Sequence, residues 1–158
     1  GMDQSAALLS EAGHALLLDC RDHGTELVPF DLSAHGLALL VMDTRAEHAL
    51  VDGQYAERRS SCEEAAGELG VTSLREVPVD DLADRLDALS SDLLRRRARH
   101  VVTEIQRVRD TVEALRHNDF RAVGELFVQS HASMRDDFEI SVAELDTAVE
   151  AAVAAGAL

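Results

Sequence analysis

The sequence contains no lysine: all 15 of its basic residues are arginine. That absence excludes a Walker A loop, the nucleotide-binding lysine of protein kinases, and any Schiff-base or pyridoxal chemistry. Aromatic residues make up only 3% and tryptophan is missing, so a core must be built from Leu, Val and Ala. Such side chains favour helix packed on helix, or helix on a small sheet. The 2 cysteines, Cys20 and Cys62, stand far apart without a Cys-x-x-Cys pattern and read as reduced, buried apolar thiols. No secretory signal is visible, and no apolar run reaches the roughly 18 residues needed to cross a bilayer. The expected location is the cytoplasm.

Positive charge is also scarce. The formal net charge of −15 repels phosphate backbones and anionic lipid, so neither nucleic acid nor a membrane surface is an expected partner. The run Arg95, Arg96, Arg97, Arg99 reads as a solvated helix face, with Asp92 and Glu104 available for ion pairs. What is present is a globular composition: 158 residues, 46% hydrophobic, enough for one core.

Along the chain the periodicity changes once. Residues 3–10 read as one or two helical turns capped by Asp3 or Ser5. His14–Asp19 and Thr25–Phe30 flank the turn signal Asp22-His23-Gly24 and read as a hairpin. Leu37–Asp43 is an apolar run suited to a third strand covered on both faces. Beyond residue 50 the spacing is helical. Asp52 is placed to cap a helix ending at Gly70, with Tyr55, Arg59, Cys62, Ala66 and Leu69 on one stripe. A shorter helix spans Val79–Leu89. From Asp92 to Arg116, Leu94, Ala98, Val101, Ile105, Val108, Val112 and Leu115 alternate spacings of four and three, the seam of a long intramolecular helix pair. Phe120, Val123, Phe127, His131 and Met134 mark a further helix from about Asp119. Ser141 and Glu144 form a capping-box pattern for the last one. The expected fold class is α+β: a small antiparallel sheet of about three strands followed by a helical bundle.

Few patterns carry chemistry on their own. The 7 histidines are scattered without His-x-His or His-Glu-x-x-His spacing, so no metal ligand is assigned. Asp136, Asp137 and Glu139 lack the spacing of a calcium loop and read as a solvated turn. No Gly-x-Ser-x-Gly elbow supports a hydrolytic triad.

Five ordered segments add a resemblance. They are Gly1-Met2-Asp3-Gln4, His14–Arg21, Tyr55–Arg59 with Cys62–Ala65, Arg96–Val102, and Ser130–Glu139. Together they resemble galactokinase, of the small-molecule kinase family that also includes homoserine, mevalonate and phosphomevalonate kinases (the GHMP kinases). The likeness runs through the whole chain in order and spacing. It implies the central portion of a GHMP-kinase-like fold, with 1–45 as part of an N-terminal α/β lobe and 46–158 as helical C-terminal-lobe structure. It also implies phosphoryl transfer from ATP, with Mg2+, to the anomeric hydroxyl of galactose. Asp3 stands where the family has its catalytic aspartate, and Tyr55 where a tyrosine contacts the sugar. The Ser130–Glu139 block receives no chemical role.

Three family segments do not occur in this sequence: a Gly-Glu-His-Thr-Asp sugar loop, a Gly-Leu-Ser-Ser-Ser phosphate loop, and a Gly-rich Met-Thr-Gly-Gly-Gly-Phe-Gly stretch. No cofactor-binding residue is therefore assigned, and Gly1-Met2 reads as an added glycine ahead of an initiator methionine. The expectation is a truncated portion, inactive alone, that binds no nucleotide tightly. It is further expected to self-associate through an exposed sheet or through helix 92–116. A non-catalytic helical interaction module and a kinase of another sugar remain alternatives.

Overall fold

The computed structural model describes residues 2–46 and 53–158. Helix α1 (Met2–Leu9) leads into strands β1 (His14–Leu18) and β2 (Thr25–Pro29). Then come α2 (Gln54–Glu68), α3 (Leu82–Asp87), α4 (Asp92–Arg116), α5 (Phe120–Asp136) and α6 (Ala143–Ala154). The strands pair antiparallel, with Leu16 opposite Leu27. Their turn is closed by His23 in the left-handed region (φ 61°) and by the Asp22 carboxylate accepting from the Gly24 N–H at 2.9 Å.

The chain is α+β as expected, but among the described residues the sheet has two strands and not three. The run 37–43 forms no element, and Leu39, Leu40 and Val41 are 70–83% exposed. A strand needs a neighbour for its N–H and C=O groups, and the described part of the chain offers none. Hydrophobicity alone did not make the strand.

The helical part supplies its own partners. Ala65, Ala66, Leu69, Leu74, Val77, Leu82, Leu89, Leu94, Ala98 and Val102 form one buried cluster between α2, α3 and α4. Ser91 caps α4 by accepting from the Leu94 N–H at 3.3 Å, and Asp119 caps α5 by accepting from the Ala122 N–H at 3.0 Å. Two helices end in the same way. Gly70 (φ 68°) follows α2, with the Val71 N–H reaching the Ala66 carbonyl at 3.0 Å. Asn118 (φ 57°) follows α4, with the Asp119 N–H reaching Ala114 at 2.9 Å. A smaller cluster of Val28, Leu115 and Val123, with Leu17 and Phe30 packed on it, is where the hairpin meets α4 and α5.

Several local expectations are corrected. Helix α1 starts at Met2, so Asp3 lies inside its first turn and Ser5 beyond it; neither is the cap. The expected cap Asp52 lies outside the described residues. On α2 the buried face is Ser61, Ala65, Ala66 and Leu69, while Tyr55 and Arg59 are exposed, with no apolar residue among those described packed over them. The α6 capping box does not form: Val142 precedes the helix, and the Ser141 hydroxyl donates to Asp146 at 2.7 Å. Cys20 is exposed and Cys62 half-buried, its thiol pKa pushed up chiefly by burial. The α4 seam faces inward on α2, α3 and α5, leaving Val108 half-exposed.

Candidate functional site

Asp3 sits in the first turn of α1, exposed, where the helix dipole favours a carboxylate. Its side chain makes no hydrogen bond or ion pair among the described residues. Tyr55 sits in the first turn of α2 and is 80% exposed. Neither residue lines the two main clefts. One, about 240 Å³, lies between Arg75–Val79 and the Val102–Arg109 stretch of α4. The other, about 210 Å³, is mostly apolar and lies where Leu17 and Val28 of the hairpin face Val108, Val112 and Phe127. Arg107 and Glu104 pair with each other at its polar end.

The structure brings together two other segments, Arg96–Val102 and Ser130–Glu139. The arginine run is not a solvated face. Arg97 is 3% exposed; it donates to the Asp137 carbonyl at 2.5 Å and the Glu139 carboxylate at 2.7 Å, and its guanidinium lies 5.6 Å from the Phe138 ring centre. Arg96 reaches the other Glu139 oxygen at 2.9 Å while keeping its expected pair with Asp92 at 3.2 Å. Arg99 pairs with the Asp137 carboxylate at 2.8 Å, and Arg95 donates to the Leu86 and Leu89 carbonyls at 3.1 and 2.6 Å. The acidic turn is not solvated either: Asp137 and Glu139 are the carboxylates these arginines hold. The Arg97 and Arg96 hydrogen bonds keep the Glu139 carboxyl below its usual range.

His100 completes the network. Its ring stacks on Phe138 at 4.3 Å, and its Nδ1 lies 2.9 Å from the Ser133 hydroxyl. That hydroxyl donates to Asp137 at 3.1 Å, so it accepts from a neutral imidazole carrying its proton on Nδ1. Burial, opposed by the Asp137 charge, lowers the His100 pKa to about 4. The order carboxylate–hydroxyl–imidazole puts serine in the middle. A hydrolytic triad needs the imidazole there to take the serine proton, so Ser133 is not activated. The cluster is a lock between α4 and the end of α5.

Sequence patterns also gave no hint of Arg58. From α2 it donates to the Phe138 carbonyl at 2.8 Å and also to the Glu139 carbonyl, joining α2 to the same turn. A usable signal existed for part of the lock: Arg97 and His100 fall three apart on the inward side of the α4 seam. Among the described residues, no group of three His, Cys, Asp or Glu side chains is placed to hold a metal ion, and no helix is long and apolar enough to cross a membrane.

These elements, in this order, make an α+β chain whose fold is similar to part of a small-molecule kinase. Its particular relatives are galactokinases: the chain is similar to them in sequence and fold along nearly its whole length. It is 51% identical to the galactokinase of Streptomyces coelicolor over 99% of this chain and 41% of that protein. With human galactokinase it shares 49% identity over 97% of this chain and 38% of the relative. A galactokinase from Lactococcus lactis solved with galactose superimposes with a TM-score of 0.81 at 31% identity, over 96% of this chain and 39% of the other. The chain thus spans about two-fifths of the length of the curated relatives it matches. No family model matches it.

Proposed function

We propose that this chain is the central portion of a galactokinase-like sugar kinase, which in complete form phosphorylates galactose at its anomeric hydroxyl with ATP and Mg2+ in the cytoplasm. The observation that carries the reading is about 50% identity to galactokinases across nearly all of the chain, joined to the fold match with a galactose-bound relative. On this reading residues 1–45 belong to an N-terminal lobe and 46–158 to a helical C-terminal one.

Asp3 is the proposed catalytic carboxylate. Near the sugar hydroxyl it accepts that proton, or orients the hydroxyl while staying ionised; phosphoryl transfer asks mainly for such alignment and charge placement. Tyr55 is the proposed sugar contact, and its exposure leaves the hydroxyl and ring edge free for a ligand. The residues present do not fit the nucleotide. The chain has no lysine and no Gly-rich phosphate loop, and the described residues offer no cluster of metal-binding side chains. The chain alone is therefore expected to give no product in a coupled kinase assay. The exposed 39–41 run supports self-association, which light scattering against concentration checks.

The test of the sugar reading is thermal denaturation with galactose. Ligand at 100 times its dissociation constant adds about 2.7 kcal/mol. A shift with galactose, smaller with glucose and lost in Tyr55→Ala, supports it. No shift favours the second reading, a non-catalytic helical interaction module, for which the exposed positions of Asp3 and Tyr55 among the described residues speak.

A further inference from the structure

Among the described residues, the first turn of α2 has little to hold it. Gly53 precedes it at φ 117° without a side-chain cap, and residues 54–57 are all exposed. Burial begins only at Ser61. An uncapped turn with no apolar contact frays in isolation. Yet this turn carries Tyr55, whose usefulness to a ligand depends on being held in one place.

One side chain restrains it. Arg58 donates through Nη1 to the Gln54 carbonyl at 3.1 Å, through Nε to the Phe138 carbonyl at 2.8 Å, and through Nη2 to the Glu139 carbonyl. The planar fork thus bridges the residue next to Tyr55 and a turn some 80 positions along the chain. That turn is itself fixed. Glu139 sits in the left-handed region (φ 57°), which costs a residue with a side chain about 1–2 kcal/mol and persists only when the surroundings enforce it. The enforcement is visible: Arg96 and Arg97 hold its carboxylate, His100 stacks under Phe138, and the Phe138 N–H reaches the Ser133 carbonyl at 3.0 Å.

We infer that Arg58 is a positioning residue for Tyr55, and that the Ser130–Glu139 block provides the rigid anchor against which Arg58 sets the first turn of α2. This rests on the reading of Tyr55 as a sugar contact. The block thereby acquires a role, since its carbonyls, presented by a turn locked onto α4, define where the tyrosine stands.

Tyr55 is the chain's 1 tyrosine and there is no tryptophan, so intrinsic emission reports on this turn alone. In Arg58→Gln the tyrosine anisotropy should fall, and amide exchange at residues 57–60 should quicken about tenfold, with exchange in α4 and α5 unchanged. Arg58→Lys should lose nearly as much, because an ammonium cannot serve three carbonyls in one plane. Arg59→Gln, whose parent residue pairs with exposed Glu63 at 2.8 Å, should change nothing. If Arg58→Gln lowers global stability, Glu139→Gln is measured in its place and should mobilise Tyr55 in the same way. Unchanged anisotropy and exchange in Arg58→Gln would overturn the inference, as would general unfolding in both variants. Galactose titrated against parent Tyr55 emission separates the two ideas. A silent parent sinks the sugar contact, while a mobilised Tyr55 in Arg58→Gln still establishes the positioning.

Discussion

Residues 2–46 are richer in hydrophobic side chains than residues 54–139, yet it is the second stretch that folds with the greater self-sufficiency. The helical stretch encloses ten buried hydrophobic residues between its own helices. The N-terminal stretch buries one, Val28, and does so against Leu115 and Val123 of the helical part. Helix α1 buries none. The difference follows from hydrogen bonding: a helix satisfies its backbone internally and needs only a partner for one face, whereas a strand needs partners for backbone and face together.

The comparison breaks first at Arg97. Its Ala variant removes one of the two arginines on the half-exposed Glu139 carboxylate and the partner of the Asp137 carbonyl, and should cost about 3 kcal/mol by denaturant unfolding. A cost no larger than a surface change would mean the lock contributes little to the helical part.

His100 is next. Its folded pKa of about 4 lies below the ordinary 6.5, so between those values the unfolded chain binds more protons. Stability is therefore fully present above pH 6.5 and declines toward pH 4, by roughly 2–3 kcal/mol. His100→Gln should flatten that interval. The Glu139 contribution, lost at still lower pH, should remain.

Val28→Ala tests the most deeply buried of the hairpin's apolar contacts. About 1–2 kcal/mol is expected, with loss of protection in β1 and β2 ahead of α4. Smallest is Leu40→Ser in the exposed run, within about 0.5 kcal/mol of the parent but with reduced self-association by light scattering.

How much could be read beforehand tracks the same divide. Helix α4 runs from Asp92 to Arg116 as the seam indicated, because an unbroken apolar period is a local signal. The hairpin was legible through Asp22-His23-Gly24 for the same reason. The 37–43 strand was not, since its existence depends on a neighbour rather than on its own residues. The arginine run was misjudged because the partners of Arg97 lie some 40 positions away, at a separation no local pattern reports. Asp3 and Tyr55 could be named only through resemblance. Their local sequence reads as a helix cap at Asp3 and a stripe position at Tyr55, whereas in the fold both are exposed helical residues.

Amide hydrogen exchange measured residue by residue puts the central contrast to the test. If the helical part holds itself together and the N-terminal part leans on it, the slowest amides will cluster at 94–102 and 123–133, and those at 14–18 and 25–29 will exchange by a separate, easier opening. Equal protection in both regions, lost together in one cooperative step, would contradict the account.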